Sequence, residues 1–157
     1  MTETPSEHVG TAEQITDEDR VSRLYRDLDP EIAPESALQF PYDKNTGQRA
    51  ESLIWRKHAP ELSDVHQRGC SWKKDYIGCR TSDVGPIRQI RSRSGHSFAV
   101  EHEVEGGDFA HVAITISPTP GVSVKGAKND LAELRHKLHQ QLGELEPHQC
   151  ESESDSD

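Results

Sequence analysis

The sequence predicts an α+β domain: N-terminal helices, a small antiparallel meander of three to four strands and one C-terminal helix, with the helices packed on one face of the sheet. Three observations point there. Apolar residues recur at helical spacing before residue 70 and again after residue 129. From Val84 to Ile116 the pattern changes to short alternating runs separated by glycine-bearing bends. The hydrophobic fraction is only 31%, too little for one core to recruit a whole chain of 157 residues. Helices, then linked strands, then a helix is the order of an α+β fold, not of repeated βαβ units. One domain fits this length. Its body is expected over 17–148, between disordered tails at 1–16 and 149–157, the second an acidic low-complexity run of Glu, Ser and Asp.

The elements follow in order. Thr16 or Asp17 can open a first helix, with Asp17, Glu18 and Asp19 in the favourable first turn. Val21, Leu24, Tyr25 and Leu28 then share a face, and Pro30 ends the helix. Residues 34–48 read as a loop carrying Leu38, Phe40 and Tyr42. Gln48 to His58 reads as a second helix, presenting Leu53, Ile54 and Trp55. Pro60 suits the start of a third, in which Leu62, Val65 and His66 align and Gly69 suits the end. Residues 72–85 are polar and turn-rich. Residues 86–93, 97–104 and 109–116 read as strands, with Ser94-Gly95 and Gly106-Gly107 at the bends; Val122 and Val124 suggest a short fourth. Asn129 or Asp130 caps the last helix, whose stripe is Leu131, Leu134, Leu138 and Leu142, and Gly143 closes it.

Charge is sorted along the chain. Residues 1–50 hold 11 acids and 5 bases, residues 51–128 hold 9 and 11, and residues 129–157 hold 8 and 2, within a net charge of −10. A basic middle between acidic ends concerns partners, not fold. The first residues lack the basic and apolar regions of a secretory signal, and no run reaches the roughly 18 apolar residues of a membrane span. A soluble, cytoplasmic protein is therefore expected. Three cysteines, Cys70, Cys79 and Cys150, argue by odd count and spacing against a disulfide framework.

Two histidines carry the sharpest chemical expectation. If Gly106-Gly107 are the central pair of a two-residue bend, His102 faces His111, with Cβ atoms about 4.5–5.5 Å apart. The same logic at Ser94-Gly95 sets Ile87 beside His102, Gln89 beside Val100 and Arg91 beside Phe98. One face then gathers His102, His111, Gln89 and Arg91, with Arg93 and His96 at its edge; the opposite face pairs Arg88 with Glu101. Two imidazoles can divide general base and general acid roles near neutral pH, and an arginine can hold a phosphate. That constellation would make the protein a metal-independent phosphodiesterase or ribonuclease with His102 and His111 as catalytic residues.

A second expectation is binding. Trp72, Lys73, Lys74, Arg88, Arg91 and Arg93 bring an aromatic and cations into the 72–93 region, a combination suited to single-stranded nucleic acid. The acidic ends repel phosphate, which favours a protein partner. The leading reading is a small accessory or interaction protein that meets a macromolecule through residues 72–93 and the sheet face. A third reading is a zinc-stapled adaptor using His66, Cys70, Cys79, His148 and Cys150. It is set against the absence of any Cys-x-x-Cys pair, and no metal ligand is assigned. No Gly-rich phosphate loop, Gly-x-Ser-x-Gly or His-Glu-x-x-His motif occurs. No cofactor or membrane contact is expected, and the sequence leaves open whether the protein is an enzyme and what its oligomeric state is.

Overall fold

A computed structural model describes residues 12–26, 38–44, 47–72, 75–103, 108–117 and 130–150. Its elements are β1 (Arg20–Arg26), β2 (Tyr42–Asp43), β3 (Gln48–Trp55), α1 (Leu62–Trp72), β4 (Tyr76–Asp83), α2 (Val84–Arg88), β5 (Ser97–His102), β6 (His111–Ser117), α3 (Leu131–Gln141) and β7 (Glu146–Pro147). The fold is α+β. Seven strands form an antiparallel sheet in the order β5-β6-β3-β1-β4-β7, with β2 paired to the start of β3. The expected meander of three to four strands understates this sheet because its two central members, β1 and β3, read as helices in the sequence.

The reason is burial on both sides. In β1, Val21, Arg23 and Tyr25 face one way and Ser22 and Leu24 the other, and all five are buried. A strand covered on both faces loses the polar alternation that identifies strands, so its apolar spacing mimics a helix. In β3 the run Leu53, Ile54, Trp55 is likewise buried residue after residue. The turn-rich reading of 72–85 is also corrected. Residues 76–83 are β4, paired along its length with β1. Its polar residues are accommodated because Ser22 Oγ and Thr81 Oγ1 hydrogen-bond at 2.7 Å inside the sheet. The strand expected at 86–93 is instead the short helix α2, followed by turns closed by Gln89 N–H to Pro86 O and Ile90 N–H to Ile87 O. Proline is tolerated there because the first turn of a helix needs no N–H from it.

Helices cover both faces of the sheet, not one. On the first face, α2, α3 and the segment around Leu38 and Phe40 enclose the larger core: Val21, Leu53, Trp55, Phe98, Val100, Val112, Ile114 and Ile116 meet Val84, Ile87, Leu134, Leu138 and Leu142. On the second face, α1 lies over Leu24, Ile54 and Cys79 through Val65, with Tyr76 and Ala110. The leucine stripe of α3 is as expected. Asp130 is its N-cap residue, as expected, but the carboxylate makes no capping bond. It accepts instead from Ser92 Oγ at 2.7 Å and Ser94 N–H at 3.2 Å, fastening the 92–95 turn to the helix start. The packed body also begins earlier than residue 17: Ile15 is in the larger core, and Glu13 bonds His58 and Lys57. The fourth strand suggested at 122–124 and the Gly106-Gly107 bend lie outside the described residues. Among the described residues no helix is long and apolar enough to cross a membrane.

Candidate functional site

The β5–β6 ribbon decides where the two histidines go. His102 pairs with Val112, Val100 with Ile114 and Phe98 with Ile116. That is one position off the expected alignment, and a slip of one residue turns a side chain to the opposite face. The physical cause lies at 108–110. Asp108 Oδ1 accepts from Ala110 N–H and Asp108 O from His111 N–H, so this segment is itself a turn and the connection exceeds two residues. His102 thus enters the larger core's face, while His111 pairs with Ile54 of β3 on the other. The expected cross-strand imidazole pair does not form. Nor do the pairings around Ser94-Gly95, because 84–88 is helical.

Both nitrogens of His102 are committed. Nδ1 accepts from Glu13 N–H at 2.9 Å, so Nε2 carries the proton and donates to Phe109 O at 2.7 Å. The ring is buried, edge-on to Trp55 and Phe109 and stacked on His58 at 5.9 Å. His102 ties strand to loop and has no lone pair to offer a substrate in this arrangement.

His111 has a different setting. Its Nε2 lies 2.7 Å from Ser52 Oγ, on the neighbouring strand β3. The pair opens onto a cleft of about 300 Å³ lined by Arg23, Leu24, Ser52, Ile54, Trp72, Asp108 and His111. The cleft exists because α1 covers only part of the second face. Leu24 and Ile54 form an apolar floor, and Trp72, 50% exposed at the end of α1, forms a wall. Its charged groups are already matched. Arg23 reaches Glu51 at 2.9 Å and donates to Ser52 O at 2.7 Å. Arg68 grips Asp108 with two bonds, Nε to Oδ2 at 2.7 Å and Nη2 to Oδ1 at 3.1 Å. Burial pushes the Asp108 carboxyl up, but the Arg68 fork and the Ala110 N–H outweigh it and hold it below its ordinary value. Burial lowers His111, which keeps the ring neutral against Ser52. Among the described residues no carboxylate accepts from His111 Nδ1.

Of the expected binding residues, Trp72 lines this cleft and the arginines do not. Arg88 is spent on Asp17, Ile15 O and Val100 O. Arg91 donates to Arg88 O and Ile90 O, and Arg93 projects into solvent beside Glu133 on the far face. Lys73 and Lys74 lie outside the described residues. Ser52 and Asp108 carry no signal in the local sequence. Their signal is purely tertiary, since 59 positions separate Ser52 from His111.

A second cluster joins α1 to the segment after β7. Cys70 and Cys150 form a disulfide, with Cα atoms 5.6 Å apart across a separation of 80 residues. The expectation from an odd cysteine count is thereby corrected: one bridge forms and Cys79 is left over, free and buried. Burial pushes the Cys79 thiol up to about 11. The rings of His66 and His148 stack at 4.2 Å and 13°, and His66 Nδ1 lies 2.8 Å from Tyr76 Oη. Gly69 does not end α1, so His66 and Cys70 share a helix face one turn apart.

Comparison with family models, curated proteins and solved structures returns no match. The reading of function therefore rests on the chemistry of these two clusters.

Proposed function

We propose that the protein works as an interaction module whose cleft receives an apolar side chain from a protein partner. The observation that carries this reading is the exposed Trp72 beside an apolar floor in a cleft whose charges are internally neutralised. With Arg23 held by Glu51, Asp108 by Arg68, and His111 neutral, the cleft offers an incoming group dispersion contacts and one neutral Ser–His pair. Such a surface rewards burial of apolar area. Tryptophan is also one of the residue types enriched at the energetic centres of protein interfaces. A nucleic-acid partner needs cations clustered on one face, whereas Arg20, Arg23, Lys57, Arg68, Arg88 and Lys137 each lie against a carboxylate.

The test uses a displayed library of random dodecapeptides selected on the immobilised protein. Selected peptides should share an aromatic or branched apolar anchor and should shift the Trp72 emission to shorter wavelength. Trp72→Ala should weaken binding about 10- to 30-fold. Trp55, fully buried, supplies a constant background. Selected peptides that bind Trp72→Ala as well as the parent would overturn the reading.

One observation favours a second reading: the 2.7 Å contact between Ser52 Oγ and His111 Nε2. A neutral imidazole so placed can take the hydroxyl proton as the oxygen attacks an acyl or phosphoryl centre. A fluorophosphonate probe separates the two. Labelling at Ser52 that disappears in His111→Ala makes the cleft a catalytic one; an unlabelled protein leaves the interaction reading standing.

A further inference from the structure

The geometry points to a redox-gated metal site in which Cys70, Cys150 and His148 bind a zinc-class ion once the disulfide is reduced. One ligand atom from each of these half-buried residues lies within 4.8 Å of the other two. A tetrahedral zinc, with bonds of about 2.3 Å to sulfur and about 2.0–2.1 Å to nitrogen, holds its ligand atoms roughly 3.3–3.8 Å apart. The nitrogen therefore closes on either sulfur by about 1.3 Å at most. Shifts of that size need side-chain rotation only.

The carriers suit the task. Cys70 sits near the end of α1. His148 and Cys150 flank Gln149 on the segment held to β4 by His148 N–H to Ile77 O. His66, one turn before Cys70, backs the His148 ring face to face and is itself anchored by Tyr76. A disulfide alone requires no imidazole beside it, and here a nitrogen of His148 lies within 4.8 Å of both sulfurs while its ring is backed by His66. Two thiolates and an imidazole, with no carboxylate in the set, select zinc over calcium or magnesium.

The chemistry balances with two named co-reactants. A thiol reductant supplies two electrons and two protons: two RSH reduce the Cys70–Cys150 bond to two thiols and leave as RSSR. A divalent ion then displaces both thiol protons and binds the thiolates. A hydroperoxide reverses the cycle. It takes two electrons from the thiolates, the S–S bond re-forms, the ion departs, and with two protons the peroxide leaves as alcohol and water. The site is separate from the cleft, so neither proposal depends on the other.

The test uses full-length protein and cobalt(II) as the probe, with a phosphine reductant that does not compete for the metal. Reduced protein should develop the visible bands and near-ultraviolet sulfur charge-transfer absorption of tetrahedral thiolate-bound cobalt, saturating at one equivalent and bleached by zinc. Oxidised protein should show neither, a comparison that requires no variant. Cys70→Ser, Cys150→Ser and His148→Ala should each lose the spectrum, and Cys79→Ala should keep it. Reduced protein without a tetrahedral cobalt spectrum overturns the proposal, as does an undiminished spectrum in Cys70→Ser or Cys150→Ser.

Discussion

Arg23 lies in β1 with its side chain 8% exposed, spanning the gap where β1 and β3 diverge beyond Ser22 and Ile54. Its guanidinium supplies to Ser52 O the hydrogen bond that a backbone N–H would otherwise give. Glu51, 13% exposed, balances the charge and also accepts Phe40 N–H. Breaking a buried pair of this kind costs about 3–5 kcal/mol, because the abandoned charge stays buried. Through Ser52, Arg23 also sets the strand that carries the partner of His111. The titration of that histidine has a direction. Burial holds folded His111 below the ordinary 6.5, so folding favours the neutral ring. Its contribution is complete above pH 6.5 and is lost as pH falls through the lowered folded value. Asp108, held below 3.8, contributes above that value and is lost as pH falls through its own lower one. Thermal unfolding followed against pH should thus show Tm declining first below about pH 6.5 and again near the bottom of the carboxylate range. The first decline should be shallower in His111→Gln; an identical decline in that variant contradicts the assignment.

At the scale of elements, α1 shows propensity and packing in opposition. Gly69 sits inside the helix, where alanine ordinarily gains about 1 kcal/mol. Here a Cβ would stand 2.4 Å from the Tyr76 ring, the ring that anchors His66. Gly69→Ala should therefore destabilise the protein, by about 1–3 kcal/mol, measured by urea denaturation; a stabilised variant would show that Tyr76 moves freely. Gly78 answers a similar demand on β4, with φ +144° and Glu146 O 2.3 Å from where a Cβ would be. The same contrast explains which elements could be read in advance. The α3 leucines, α1, which starts at Leu62 two residues beyond Pro60, and the β5 and β6 runs each set buried positions against more accessible ones, and period reveals them. In β1 five successive residues are buried and in β3 Leu53, Ile54 and Trp55 are, so alternation is lost there and Val21, Leu24 and Tyr25 suggest a helix that never forms. The candidate site suffers most, because a ribbon's register depends on its bend. The Asx turn at Asp108 moved His111 from His102 to Ser52, and nothing in local spacing announces that.

For the molecule as a whole, the segment from Gly143 to Cys150 acts as a cover for the outer edge of β4. Gly143 N–H bonds Thr81 O, β7 pairs with Gly78 and Cys79, and His148 N–H bonds Ile77 O. Arg80 adds a bond to Gly143 O, and the Cys70–Cys150 bridge fixes the far end. An uncovered strand edge is a template for pairing with another chain. A protein cut between Leu142 and Gly143 should keep its larger core yet associate with increasing concentration, seen by light scattering against the intact chain. A cut form that stays monomeric at high concentration would show that the edge protects itself.

The strand order also sets the tempo of folding. Central β1 finds its partners far along the chain: Val21 lies opposite Trp55 on one side and Ser82 on the other. The next pairing outward, Leu53 with Val112, closes a loop comparable to that between Val21 and Ser82. Each alignment closes a long loop before any contact compensates the lost chain entropy. Folding should accordingly run in milliseconds to seconds, as in sheets built from distant pairs, and not in the microseconds of a helical bundle.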